Sequence, residues 1–165
     1  MFLKYTYYEL MSQKDKLFLI TLKELELIVK NLHSRNIISD PLERYIVYAS
    51  IAAELHSQSL SVKYIQAQSQ QSFYVCNLAV KSLKAGGWLI EKVNKKDKRI
   101  KDILPTNKCR ALISAYEEAK FENYKGLLDG SKTKLTFVYQ DLIDADENKL
   151  DELSEMIQKQ KILNG

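Results

Sequence analysis

The segment that decides the fold runs from Leu60 to Thr106 and reads LSVKYIQAQSQQSFYVCNLAVKSLKAGGWLIEKVNKKDKRIKDILPT. Its first half holds two short runs with apolar residues at helical spacing, joined by the polar turn SQQS. Ser61 and Ser72 each precede one of these runs, in the position of a helix N-cap. Gly86 and Gly87 close the second run, because glycine accepts the left-handed geometry that ends many helices. The first half therefore predicts a helix-turn-helix.

The second half of the segment predicts a β-hairpin. The runs WLIEKVN and RIKDIL are rich in β-branched and aromatic residues, and the charged tetrapeptide KKDK separates them. Pro105 ends the second run, and Thr106 can cap a helix that starts at Asn107.

Helices are predicted on both sides of this segment. Apolar residues recur every three or four positions from Ser12 to His33, and DPLE at Asp40 to Glu43 is a strong start signal for a second helix. Beyond residue 107, further apolar residues occur at helical spacing: Leu135, Val138, Leu142, Leu150, Leu153 and Ile157. The expected fold class is mainly α with a small β-hairpin, in a single domain that covers residues 1–165.

Composition favours an ordered globular protein. The chain has 165 residues, 45% hydrophobic and 28% charged, with 5 Gly and 2 Pro. No apolar run approaches the roughly 18 to 20 residues that a membrane span needs, and the N-terminus lacks the pattern of a signal peptide. We expect a cytoplasmic protein without membrane contact.

The sequence contains no pattern typical of an enzyme or a metal site. It has no glycine-rich phosphate loop and no nucleophile motif, and His33 and His56 stand alone near helix ends. Cys76 and Cys109 have neither metal-ligand spacing nor a disulfide framework. We expect no catalytic activity, no cofactor and two reduced thiols.

Positive charge is concentrated in one third of the chain. Leu60 to Arg110 carries a net charge of +8, whereas the remainder carries −4. Clustered Lys and Arg gain affinity for nucleic acids by displacing counterions from phosphates. The alternative is a basic surface that has no partner.

The same segment resembles the winged helix-turn-helix of the MarR family of bacterial transcription regulators. The matching residues are Leu83 to Gly87 at the helix end, Asp97-Lys98-Arg99 in the wing, and Leu104 to Thr106 with an inserted proline. The resemblance implies a winged helix-turn-helix at residues 40–106 and a helical dimerisation region at residues 1–36 and 107–165. It also implies a homodimer on a pseudo-palindromic operator, with the recognition helix in the major groove and the wing on the minor groove.

On the recognition helix, the candidate DNA contacts are Ser72, Phe73, Tyr74, Asn77 and Lys81. Asn can pair with adenine, Phe can meet a thymine methyl group, and Ser can bond a phosphate. Phe73 and Tyr74 could equally belong to the core or to a protein interface. Family members often carry Arg along this helix where this chain has Leu78, which favours a different base specificity.

In the wing, Arg99 is the candidate for insertion into the minor groove. The candidate phosphate neighbours are Lys95, Lys96 and Lys98, with Lys63 on the preceding helix. By resemblance, Asp97 supports the wing by holding the arginine in place. The alternative is that Asp97 and Arg99 form an ordinary hairpin ion pair of little value.

Three further alternatives concern partners. A second subunit would bury the N-terminal aromatic residues, which would otherwise form a flexible tail on a monomer: Phe2, Tyr5, Tyr7 and Tyr8. The resemblance implies a small aromatic effector or an oxidant-sensing cysteine, although neither is required by the residues. A winged-helix interaction module in a replication, plasmid-maintenance or regulatory complex is the alternative to an operator-binding regulator.

Overall fold

The computed structural model describes residues 13–129 and, near the C-terminus, residues 146, 148–149 and 151–152. Its elements are α1 Gln13–Lys30, α2 Pro41–Leu55, α3 Val62–Ser69, α4 Phe73–Ala85, β1 Leu89–Val93, β2 Lys101–Pro105 and α5 Asn107–Asp129. The predicted class, mainly helical with one β-hairpin, is confirmed. The N-terminal aromatic cluster and the apolar stripes beyond residue 134 lie outside the described residues.

Side-chain caps explain where four of the helices begin. In each case a side-chain oxygen accepts a backbone N–H that the first helical turn would leave unpaired. The bonds run from Glu43 to Asp40 (2.9 Å), from Tyr64 to Ser61 (3.3 Å), from Val75 to Ser72 (3.2 Å) and from Cys109 to Thr106 (3.1 Å). All four caps were predicted from the sequence.

One hydrophobic core joins the helix-turn-helix to the hairpin and to α5. The apolar stripe of α4 is buried in full, and it consists of Cys76, Ala79, Val80 and Leu83. These side chains pack with buried residues from the neighbouring elements, among them Ile46, Ile65, Leu89, Ile103 and Leu112. The core therefore fixes the orientation of α4 and leaves its opposite face outside.

The hairpin is antiparallel, with Leu89 opposite Pro105 and Val93 opposite Lys101. The backbone N–H of Ile103 donates to the Leu60 carbonyl at 2.8 Å, which ties β2 to the loop before α3. Gly87 has φ +75° and supplies the left-handed turn between α4 and β1. The wing is therefore attached at both ends to the helix-turn-helix.

Helices α1 and α5 pack against each other beside this core. Glu24 of α1 forms ion pairs with Arg44 of α2 at 3.3 Å and with Lys120 of α5 at 3.5 Å. Among the helices in the described part of the chain, none is long and apolar enough to cross a membrane.

Candidate nucleic-acid interface

The wing tip carries the densest positive charge in the described chain. Residues 94–100 connect the two strands, and Lys95, Lys96, Lys98 and Arg99 are all exposed. Among the side chains that the structure describes, none forms an ion pair with any of these four. Their charge is therefore directed to solvent rather than neutralised inside the protein.

Hydrogen bonds to side chains give this tip a defined shape. The Asn94 side-chain oxygen accepts the backbone N–H groups of Lys96 at 2.8 Å and Asp97 at 3.0 Å. The Asp97 carboxylate then accepts the backbone N–H of Arg99 at 3.0 Å. Short polar side chains of this kind commonly stabilise turns by bonding the backbone two residues ahead.

The sequence left two roles open for Asp97, namely support of the wing and an ordinary ion pair with Arg99. Its carboxylate contacts the backbone of Arg99, and no ion pair between the two side chains occurs among the described residues. The ordinary hairpin ion pair is therefore not what the structure has. Holding the backbone leaves the guanidinium group of Arg99 outside the turn.

A brace at the base of the tip was missed by the sequence reasoning. The Asn94 amide nitrogen donates to both carboxylate oxygens of Asp102, at 3.0 and 2.9 Å. Asp102 also accepts a hydrogen bond from the Ser59 hydroxyl group. Asn94 thus links the tip to strand β2 and to the loop before α3. An asparagine at the start of a turn was the available signal.

The outer face of α4 is mainly apolar. At about 100° per residue, Tyr74, Leu78 and Lys81 lie opposite the buried stripe. Phe73 is 51% exposed, Tyr74 69% and Leu78 46%. Asn77 lies on the flank of this face and is half-buried. The structure therefore places Phe73 and Tyr74 on the surface of this chain and not in its core.

Ser72 and the lysines of this region are placed around that face. Ser72 caps α4 through its hydroxyl oxygen, which keeps the O–H donor for another acceptor. Lys63 and Lys81 are exposed on α3 and α4. Lys84 forms an ion pair with Glu91 of β1, with its Nζ 2.5 Å from a carboxylate oxygen of Glu91, so it links the wing to α4.

Both cysteines are free and buried. Burial raises the pKa of the Cys109 thiol to about 12, although the positive charge of Arg110 opposes this shift, and the Glu54 carboxylate acts in the same direction as burial. Its neighbouring cations therefore do not activate Cys109. Cys76 lies on the buried face of α4, with its sulfur 3.6 Å from the Ser69 hydroxyl oxygen.

A small cavity lies among α1, α2 and α5, lined by residues that include Glu24, Arg44, Tyr48, Trp88 and Tyr116. Its volume of about 30 Å³ suits one or two water molecules. A benzene ring occupies cavities of about 150 Å³, so an aromatic effector does not fit this cavity as it stands. Among the described residues, no three His, Cys, Asp or Glu side chains cluster in a way that could hold a metal ion.

Comparison with known proteins identifies the fold. No protein-family model matches the chain, and no curated protein matches it in sequence. In structure the chain is similar to S. aureus MepR bound to DNA, at 15% identity and TM-score 0.50, over 89% of this chain and 96% of that one.

Two other similar structures are FabT of Streptococcus pneumoniae with DNA and MarR. FabT has 14% identity and TM-score 0.49, over 92% of this chain and 98% of that one. MarR has 13% identity and TM-score 0.42, over 93% and 98%. At these identities a likeness establishes the fold alone, and the MepR match carries that conclusion. The chain has a MarR-like winged-helix fold, as the sequence predicted.

Proposed function

We propose that this chain is a sequence-specific DNA-binding transcription regulator that acts as a homodimer on a pseudo-palindromic operator. The observation that carries the proposal is the exposed basic tip of the wing, in a winged-helix fold whose α4 presents an exposed face. The DNA complex of MepR, which shares this fold, supports the same function.

The wing supplies affinity and a minor-groove contact. Lys95, Lys96 and Lys98 lie close together in sequence at the tip, where they can neutralise neighbouring phosphates and release counterions. Arg99, whose backbone is held by Asp97, enters the minor groove. Asp97 supports this geometry through the backbone and makes no DNA contact of its own.

Helix α4 lies in the major groove, which is wide enough for one α-helix. Its N-terminal residues contact base edges, as in other helix-turn-helix proteins. Ser72 and Lys81 bond phosphates, while Phe73, Tyr74 and Asn77 contact bases. The buried stripe behind them holds the helix at a fixed depth.

The outer face of α1 supports a homodimer. Leu32, in the turn after the helix, is exposed, and so are five large apolar side chains of α1 itself: Leu17, Phe18, Leu22, Leu25 and Val29. A contiguous apolar patch on a protein surface usually marks an interface. A second copy covers this patch and brings two α4 helices about 34 to 36 Å apart, which is one turn of DNA. An effector would have to widen the cavity among α1, α2 and α5 in order to bind.

The test is selection of bound sequences from random duplex DNA by the purified chain at two salt concentrations. The proposal expects a pseudo-palindrome to be enriched and the affinity to fall steeply with salt, because phosphate contacts release counterions. Salt-sensitive binding without an enriched sequence would indicate nonspecific DNA binding and contradict the proposal.

The exposed apolar residues of α4 favour a second candidate function, a winged-helix module that binds protein without operator specificity. Tyr74 and Leu78 are unusual as solvent-facing residues, and such a patch suits a protein partner. A protein interface of this type need not show the steep salt dependence that phosphate contacts impose. The selection experiment therefore separates the two candidates.

A further inference from the structure

We propose that α4 reads A·T base pairs, with Tyr74 and Leu78 against thymine methyl groups and Asn77 on adenine. The inference rests on the proposed function, because it specifies which bases α4 recognises in the half-site. Its first support is that Tyr74 and Leu78 lie on the outward side of the first two turns of α4, with Asn77 on the flank of the same face.

Tyr74 and Leu78 form the apolar part of that surface. They are 69% and 46% exposed, and they are four residues apart, so their side chains are neighbours on the helix. In the major groove the thymine C5-methyl group is the apolar feature that distinguishes one base from the others. Burying Tyr74 and Leu78 against thymine methyl groups removes apolar surface from water on both sides.

Guanine has no suitable partner on this part of the helix. Its major-groove edge is read most often by Arg or Lys, which bond O6 and N7 together. No arginine occurs between Leu60 and Ile90. Of the lysines of α4, Lys84 is paired with Glu91, and Lys81 lies a full turn beyond Asn77. The turns that approach the bases therefore lack a guanine reader.

Asn77 supplies the polar half of A·T recognition. A side-chain amide both donates and accepts, which matches the N7 and N6 groups of adenine. No hydrogen bond occupies the Asn77 amide among the residues that the structure describes, and the side chain is half-buried beside the apolar pair. Partial burial restricts its rotamers, and a restricted amide discriminates between bases better than a mobile one.

The wing favours the same base composition by a separate route. Narrow minor grooves, which occur in A·T tracts, concentrate negative potential and attract arginine. Arg99 is the arginine at the wing tip, and its backbone is held by Asp97. The wing and α4 therefore both prefer A·T pairs, although through different grooves.

The test replaces thymine by uracil, which lacks only the C5-methyl group, at each position of the selected half-site in turn. We expect at least one replacement in each half-site to weaken binding by about fourfold, as for the loss of one buried methyl group. Leu78→Ala should reduce or abolish the effect of uracil at one thymine, because the side chain that contacts its methyl group is gone.

Leu55→Ala is the matched control, since Leu55 is an exposed leucine at the end of α2 and outside the proposed interface. This variant should keep the full uracil effect. Far-ultraviolet circular dichroism confirms that each variant is folded.

Two results would overturn the inference, and they differ in what they leave standing. Salt-sensitive binding to a selected operator with no uracil effect, or with G·C pairs under α4, rejects the inference and keeps the proposed function. No binding to any duplex rejects both, and the apolar face of α4 would then belong to a protein interface.

Discussion

Arg99 shows how a single residue can be positioned without being neutralised. The Asp97 carboxylate accepts a hydrogen bond from the backbone N–H of Arg99 at 3.0 Å, so the turn is stabilised while Arg99 itself is exposed. An ion pair between the side chains would have fixed the turn equally well and removed the charge. This arrangement suits an arginine that binds something outside the protein.

Replacing Arg99 by Ala should weaken operator binding by about 1 to 3 kcal/mol, because a specific arginine contact to DNA is lost. The unfolding temperature should stay unchanged, since the side chain is exposed. Fluorescence anisotropy with a labelled operator measures the affinity. Arg35→Ala, at an exposed arginine before α2, is the control and should bind normally. Equal affinities for all three proteins would count against the wing contact.

The two thiols should be unreactive in the folded protein. Burial raises the pKa of Cys109 to about 12, so the reactive thiolate is scarce at pH 8, and Cys76 is inaccessible. A chromogenic thiol reagent should therefore react slowly with native protein and rapidly with two thiols after denaturation. Fast reaction of one thiol in native protein at pH 8 would contradict the burial of both cysteines and would favour an oxidant-sensing cysteine.

At the scale of elements, the wing depends on a brace that spans three segments. Asn94 joins the tip to Asp102 of β2, and Asp102 is joined in turn to Ser59 before α3. Because one amide bonds both the tip and the strand, motion of the tip is coupled to the helix-turn-helix. The wing should consequently keep its shape before DNA arrives, which lowers the entropic cost of binding.

Asn94→Ala should weaken DNA binding while leaving its salt dependence unchanged, because the cations stay and only their arrangement loosens. Amide hydrogen exchange at Lys96 and Asp97 should become faster, since their N–H groups lose the Asn94 acceptor. Asn94→Asp is the matched variant: it keeps an acceptor for the tip but sets a carboxylate against Asp102. Slow exchange in Asn94→Ala would show that the tip does not depend on this side chain.

The elements themselves were predictable because their signals are local. Ser72, Cys76 and Leu83 define the start and the inner face of α4 within twelve residues, and the structure has the helix where they place it. The brace was not predictable in the same way. Asn94 and Asp102 meet only because the hairpin register places them together, and the sequence did not give that register.

The first helix shows a different limit of sequence reasoning. Its apolar spacing predicted an amphipathic helix correctly, but spacing does not say which surface covers the apolar side. In this chain Phe18 is 67% exposed and Ile20 is buried, so much of the apolar side faces outward. The same holds for Tyr74 on α4: sequence spacing did not decide between the core and the surface, and the structure shows that this residue is 69% exposed.

At the scale of the whole molecule, the outward apolar side of α1 leads to a prediction about assembly. At micromolar concentration, sedimentation equilibrium should give a molecular mass twice that of one chain, which is 19.1 kDa. Phe18→Glu should shift it toward the monomer, because a charge would be buried at the interface without a partner.

Leu55→Glu is the control for this experiment, since Leu55 is also highly exposed but lies on α2. That variant should remain dimeric. A monomeric wild-type chain, or a dimer unaffected by Phe18→Glu, would exclude this face as the interface between subunits.

The salt dependence of operator binding tests the central claim most directly. The logarithm of the binding constant should fall linearly with the logarithm of salt concentration, with a slope of about 0.9 for each phosphate neutralised. A variant with Lys95, Lys96 and Lys98 all changed to Ala should bind more weakly and with a shallower slope. Lys30→Ala, at an exposed lysine that ends α1, should leave the slope unchanged. If the triple-lysine variant had the slope and affinity of wild type, this would contradict the proposal that the protein is a regulator that binds DNA through its wing.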